Sequence, residues 1–401
     1  MLTETEPHYR QPLLRTPFHA RLRSHSQLDC FIPWAGYSTV DVFSSVEQEY
    51  FAIRNGASLY DLTPMVKYRI AGPDATRFLD RLLTRSVGKL SAGRVAYAIW
   101  CDDHGRLIDD GTVFRMAQSE YRLCTAERQL DWLLDSSIGF DVEIAEVTAE
   151  IAALALQGPC SCSILRALGL AGIETLAPFA FRPFAFGAGS RILVSRTGFT
   201  GDLGYELWVD PSHAERLWDA LMEAGHGFPI RPVGSRALNI ARLEAGFLMP
   251  NVDFVPSAHT LHEGTARSAL ELGLGWMVDF DKGHFTGRRA LLEERRHPPR
   301  RRLAGLDVAG TRPAHDALLY ADHKGRRQIG SVTSAAWSPT CKRNIALAML
   351  DAPHFATGKL VWAEIYVNRE LVWQRRLLPA RVVERPFFAP MRRRATPPGD
   401  F

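Results

Sequence analysis

A chain of 401 residues, 46% of them hydrophobic and 23% charged, is too long for one growing core and too apolar for disorder, so it predicts a globular protein of two or three packed domains. The net charge of +4 is small for this size and sits largely in two runs, Arg295 to Arg302 and Arg392 to Arg394, without interleaved aromatics, so they read as a solvated interdomain linker and a frayed C-terminal tail and no nucleic-acid partner is expected. The longest apolar runs, such as Ile151 to Leu156, fall far short of the about 20 residues of a membrane-spanning helix, so no membrane partner is expected either.

The segment from Met1 to about Ser38 is rich in proline, arginine and histidine without steady periodicity and reads as an arm packed on the body. Its first ten residues carry three acidic or basic side chains and no apolar stretch, so no secretory leader is expected and the chain is placed in the cytoplasm. Helix and strand signals then alternate. Val46 to Arg54 predicts a helix, Val66 to Ala71 a strand, and Asp74 to Leu83 a helix with Phe78, Leu79, Leu82 and Leu83 at helical spacing and Asp74 as its N-cap. Val95 to Trp100 and Thr112 to Met116 predict a hairpin around the turn Asp102-Asp103-His104-Gly105. Glu120 to Cys124 reads as a strand, Arg128 to Ser137 as a helix, and Ile151 to Leu156 as a strand ending at Gly158-Pro159. The pattern recurs over Arg191 to Val209 and the helix Ser212 to Ala224, which predicts a pseudo-duplicated α+β body. Beyond the basic stretch near Arg300, short strand signals at Arg302 to Val308, Gly330 to Ser334, Ile345 to Leu350, Leu360 to Val367 and Val372 to Leu377 predict an all-β domain, a small barrel or sandwich.

Two segments carry unusual chemistry. Asp109 and Asp110 interrupt what otherwise reads as a strand arm, where acids are disfavoured; neighbours on a strand face opposite sides, so one is expected inward and the other solvated. Arg196-Thr197-Gly198-Phe199-Thr200-Gly201-Asp202-Leu203-Gly204-Tyr205-Glu206 sets three glycines around an aromatic and an acid, a pattern that lets backbone approach a flat ligand but also fits an ordinary hairpin. The six cysteines include only one close pair, Cys160 and Cys162, with no histidines nearby, so neither a metal site nor a disulfide framework follows. No Gly-x-Gly-x-x-Gly fingerprint opens the chain, which disfavours a flavin-linked oxidase.

These segments fall in a longer ordered series: Arg15-Thr16-Pro17, Leu59-Tyr60-Asp61-Leu62, Gly105 to Asp110, Ala155-Leu156-Gln157-Gly158-Pro159, Gly198-Phe199-Thr200-Gly201, Arg242-Leu243-Glu244-Ala245-Gly246, Phe285-Thr286-Gly287-Arg288, and Ile329 to Ser334 with Ser338-Pro339. The series resembles the T-protein of glycine cleavage and its relatives, the folate-dependent demethylases and the folate-binding parts of sarcosine- and dimethylglycine-oxidising enzymes. The resemblance implies an α+β fold of two pseudo-duplicated modules with a C-terminal β-barrel around a central folate channel. It divides the chain into an arm (1–38), a folate-binding α+β body (39–295), a C-terminal barrel (303–388) and a disordered tail (389–401).

By the same resemblance, tetrahydrofolate is the cofactor and needs no metal. Asp110 matches the catalytic carboxylate beside the reactive N5 region, Glu206 the glutamate that hydrogen-bonds the pterin, and Tyr97, Phe199 and Trp276 the aromatic residues around it, with Phe199 standing where a tyrosine is usual. That set suits a flat heteroaromatic with a donor-rich edge, which needs aromatic walls and a carboxylate acceptor. For a methoxyarene donor, Tyr205, Arg115 and His104 are the side chains available to protonate the leaving group.

Departures from T-protein set the expected substrate. Leu238 and Asn239 replace an arginine and an aspartate before Arg242-Leu243-Glu244, and Phe247 to Asp253 replaces the usual Leu-Tyr-Gly-Asn-Asp. The expectation is therefore a demethylase, moving a methyl group from a small N-, S- or O-methylated compound to N5 of tetrahydrofolate, with downstream folate enzymes as partners. The alternatives are aminomethyl transfer from a lipoyl carrier protein and a non-catalytic folate-binding protein, although the Lys-Gly-Cys-Tyr motif of the latter is absent.

Overall fold

The computed structural model describes residues 13–399 except 188, 263 and 298. Its architecture is α+β, with two antiparallel-rich sheets, a small N-terminal sheet and a closed C-terminal barrel. Among the described residues no helix is long and apolar enough to cross a membrane.

The predicted hairpin forms one edge of the first sheet. Val95–Cys101 and Leu107–Ala117 pair antiparallel across the Asp102–Gly105 turn, with Ile99 opposite Asp110 and Trp100 opposite Asp109. Glu120–Thr125, Val66–Ala71 and Glu143–Glu146 complete the sheet in that order. The amphipathic helix Ala75–Leu82 covers one face, burying Phe78, Leu79 and Leu82 against Tyr68, Trp100 and Val113. Asp74 precedes this helix but makes no side-chain cap; its carboxylate accepts instead from Arg77 at 2.6 Å and from the Asp141 amide at 3.1 Å.

Gly111, next to Asp110, has a structural reason to lack a side chain, since a Cβ there would lie 2.3 Å from the Cys124 carbonyl oxygen of the paired strand. Gly111→Ala is expected to lower stability by about 1–3 kcal/mol, the usual cost of overpacking, with the loss read from the urea midpoint.

The second sheet has the order Phe181–Ala185, Arg191–Ser195, Gly204–Val209, Ala152–Gln157, Ala57–Asp61, Ile230–Pro232. Ala57–Asp61, which precedes the whole first sheet in sequence, pairs antiparallel with Ala152–Gln157, so the two α+β units share chain rather than following one another. Helices Ser161–Ala167 and Ala214–Ala224 cover the outer face with Ile164, Leu165, Leu217, Trp218 and Leu221.

The C-terminal β signals close into a six-stranded barrel, a solution that removes exposed sheet edges. The three-residue strand Leu318–Tyr320 bridges Gln328–Ser338 and Leu360–Arg369 and has too little sequence to be recognised by alternation alone.

Three expectations are corrected. The arm is not an irregular segment ending at residue 38: it contains the helix His19–His25 and a three-stranded sheet whose strand Tyr37–Val42 runs through that boundary. Half of the basic run near Arg300 is not a solvated linker; helix Arg288–Arg296 takes its first two residues, with Arg295 4.2 Å from the Phe280 ring centroid, and strand Arg301–Val308 takes its last two. Nor is the described part of the tail, 389–399, frayed. Arg392 pairs with Asp202 at 2.6 Å, and Arg196 donates to the Ala395 carbonyl at 2.5 Å and to Thr396 Oγ1 at 2.8 Å. A guanidinium that finds a buried carboxylate gains charge-assisted bonds that offset the chain entropy lost on ordering.

Candidate functional site

Between the two sheets and the barrel lies a cavity of about 1700 Å³, lined by residues from nearly every part of the chain. Tyr97, Asp110, Phe199, Glu206 and Trp276 all line it. Trp276 is 69% exposed and lies on the 3₁₀ turn Gly275–Met277.

Strand geometry separates the two acids. Asp109 is fully buried on the face away from the cavity, its carboxylate accepting from Gln129 Nε2 at 3.0 Å and from the Asp110 amide at 2.8 Å. Asp110 faces the cavity, and Tyr97 Oη donates to its Oδ2 at 2.6 Å. Of the two acids, one expected inward and the other solvated, Asp109 is enclosed by protein and Asp110 opens to the cavity rather than to the outer surface. Burial disfavours the ionised form of both and raises both pKa values. The Asp110 carboxyl is pushed up to about 6, with the Tyr97 hydrogen bond opposing the shift, and Asp109 is driven higher by burial and then by the adjacent Asp110 charge.

Glu206 comes from the strand that opens the second sheet to the cavity. The hydroxyls of Thr197 and Ser195 both reach its Oε2, at 2.5 and 3.4 Å, which leaves Oε1 for donors in the cavity. Burial pushes this carboxyl up to about 7, against the pull of the two hydroxyls. Tyr205, the next residue back, points into the opposite core, so it is not a site residue. Arg115 is likewise committed, donating to the Leu90 carbonyl at 2.5 Å and the Gln118 carbonyl at 3.0 Å, and His104 lies in the exposed turn; neither lines the cavity.

The glycine-rich segment approaches its neighbours as the glycines allow. Gln157 sits between Gly198 and Gly204, where an added Cβ would come within 2.0 and 2.2 Å of its Oε1. Its Nε2 donates to the Thr197 and Tyr205 carbonyls at 3.2 and 3.3 Å, and Thr200 Oγ1 donates to its Oε1 at 2.9 Å. This clamp fixes Phe199, whose ring stacks on Phe247 at 5.5 Å and 17°. Arg393 of the C-terminal segment lies 5.2 Å from the Phe247 centroid, so the tail completes an aromatic wall. Gln157, Phe247 and Arg393 fall in segments noted in the sequence but were not named as site residues; glutamine beside glycines is a weak signal, and the tail contact has none.

A cavity with a stacked aromatic pair, an inward carboxylate with a vacant oxygen and a second carboxylate of raised pKa fits a flat heteroaromatic whose edge carries N–H donors. Donors on such a ligand bind the ionised form of Glu206. As pH falls through about 7 that form is lost, so affinity for a pterin ligand is expected to weaken on the acid side. Glu206→Gln is expected to weaken pterin binding at pH 8 by about tenfold or more and to flatten the pH dependence, as titration calorimetry would read.

Comparison with known proteins bears on the family and the fold. Residues 21–282 match the GCVT N-terminal domain, and residues 301–389 match the glycine cleavage T-protein C-terminal barrel domain. An aminomethyltransferase of Caldanaerobacter subterraneus subsp. tengcongensis is 33% identical over 362 residues, 89% of this chain and 91% of that protein. One from Thermotoga maritima is 32% identical over 342 residues, 84% and 89% of the two chains. The crystal structure of glycine cleavage system aminomethyltransferase T from Bartonella henselae has the same fold, with a TM-score of 0.81 at 24% identity over 94% of this chain and 98% of that one.

Proposed function

The chain belongs to the glycine cleavage T-protein family of aminomethyltransferases, and from that premise we propose that it transfers a one-carbon unit to tetrahydrofolate inside the central cavity, with Asp110 as the catalytic carboxylate. The observation that carries this reading is the convergence of Asp110, Tyr97, Phe199, Glu206 and Trp276 on one cavity from positions spread over 180 residues of sequence. Folate supplies the acceptor nitrogen when bound. Phe199, backed by Phe247, offers a flat apolar wall, and Glu206 holds the donor edge through its free oxygen.

Asp110 acts through charge. Its ionised form faces the cavity, where low polarity strengthens its attraction for positive charge on an amine or onium donor and on the acceptor nitrogen as the bond forms. Tyr97 holds the carboxylate at 2.6 Å and so fixes where that charge lies. The preferred donor is a small methylated compound. Leu238 presents an apolar side chain to the cavity where T-proteins carry an arginine, and Asn239 is occupied in accepting from Arg242 Nε at 2.7 Å.

The names of the relatives favour a second reading at least as well: aminomethyl transfer from a lipoyl carrier protein. The two give different folate products, so one experiment separates them. The protein is incubated anaerobically with tetrahydrofolate and either a panel of methylated amines, sulfonium compounds and methoxyarenes or an aminomethyl-loaded lipoyl carrier. The demethylase reading expects 5-methyltetrahydrofolate from a small donor. Formation of 5,10-methylenetetrahydrofolate from the carrier alone would replace it with the second reading, and failure to bind folate would overturn both.

A further inference from the structure

A cavity of about 1700 Å³ exceeds the roughly 300–1,000 Å³ of an ordinary small-ligand pocket, so it has room for more than one ligand. Part of its wall lies apart from Phe199, Phe247 and Glu206 in composition: Trp34, Tyr60, Met65 and Glu127. We propose that this aromatic and acidic corner, which nothing in the pterin-binding set uses, binds the cationic head of the one-carbon donor, making that donor a methylated ammonium or sulfonium compound. The proposal rests on the one-carbon reading of the same cavity for what the bound cation is used for, but not for the binding itself.

Trp34 and Tyr60 are neighbouring rings, with centroids 6.2 Å apart and planes inclined at 36°, a corner rather than a closed stack. Their polar atoms are already engaged: Trp34 Nε1 donates to the Ala126 carbonyl at 3.1 Å, and Tyr60 Oη lies 3.3 Å from Ser235 Oγ. What remains to meet a ligand is π surface, which attracts cations and most strongly desolvated, quaternary ones. Met65 adds a polarisable apolar contact suited to methyl groups.

The charge nearby has the matching sign. Glu127 is half-buried and lines the cavity, its segment pinned by Thr125 Oγ1, which donates to the Glu127 carbonyl at 2.6 Å. Its Oε1 accepts from Asn251 at 3.3 Å, a neutral partner that leaves its charge uncompensated. The adjacent Arg128 is turned to other groups, the Ala35 carbonyl at 2.6 Å and Glu146 at 3.2 Å.

The corner also lies beside the catalytic carboxylate. Gly111, which follows Asp110, pairs directly with Thr125 across the sheet, and Trp34 is tied to the residue after Thr125. A cation held there shares the cavity with two carboxylates, Glu127 and Asp110. A neutral methyl ether would gain little from such surroundings.

Choline and its neutral carbon isostere 3,3-dimethylbutan-1-ol are the probes, titrated calorimetrically into the full chain, with tetrahydrofolate binding measured in parallel. Choline is expected to bind about tenfold or more tightly than the isostere. Trp34→Leu is expected to remove about tenfold of choline affinity while the folate Kd stays within about twofold. Glu127→Gln, a change on a loop and conservative in shape, is expected to weaken choline several-fold without affecting the isostere. Equal binding of choline and the isostere, or unchanged choline binding in both variants, overturns the proposal. If folate binds and choline does not, the cation corner falls and the one-carbon reading stands; if choline behaves as expected and folate does not bind, the reverse holds.

Discussion

Asp110→Asn is expected to lower turnover by about 10²–10⁴-fold while leaving the folate Kd within a few-fold, the signature of a group that acts on the reacting charges rather than on ground-state binding. The substitution keeps size and the capacity to accept from Tyr97 Oη, which sits 2.6 Å away in the unmodified chain, so local packing survives. The pH profile provides the second readout. Burial raises the Asp110 carboxyl to about 6, and the ionised form is the active one, so the unmodified protein should lose activity as pH falls through about 6. Asp109 is also raised, and the two adjacent carboxyls titrate as a pair, so the acid limb reports the pair. At saturating folate, where the loss of affinity through Glu206 does not enter, that limb should disappear from the residual activity of Asp110→Asn. Turnover within about threefold of the unmodified protein would remove Asp110 from the mechanism.

Arg54→Met is expected to cost about 3–5 kcal/mol of stability, read as a fall in the urea midpoint with little change in slope. Arg54 lies almost wholly buried between two carboxylates, with Nη2 2.6 Å from Glu244 and Nη1 3.1 Å from Asp202. Removing it strands Glu244 with only hydroxyl partners, Tyr50 and Ser338, each at 2.5 Å. Arg392 still reaches Asp202, so the loss concentrates on Glu244. Arg54→Lys should recover part of the stability, because an ammonium keeps the charge but not the two-pronged geometry. The cluster ties the helix Val46–Asn55, the helix Ser235–Glu244, the glycine-rich segment, the barrel and the tail to one point, so the barrel and body should unfold in a single transition.

Much of this could be read along the chain because it depends on local periodicity. The helix at Ala75–Leu82 follows from apolar spacing, the hairpin around Asp102–Gly105 from turn chemistry between β-rich runs, and the C-terminal strands from alternation. The candidate site residues came from another source: the family resemblance named them, and all five side chains line one cavity.

What the sequence determined by itself, then, was the type of many of the long elements and the α+β class. Tertiary structure alone decided the rest. The register of Leu107–Ala117 against its neighbours determines that Asp110, not Asp109, meets the cavity, since a slip of one residue would exchange the two faces. Pairing of Ala57–Asp61 with Ala152–Gln157 carries Tyr60 to the cavity wall, and a buried Asp202 turns the basic C-terminal segment from tail into strap. These outcomes depend on contacts between residues tens to hundreds of positions apart, whose energies arise only when the partner surfaces meet, and no local pattern of side chains records them.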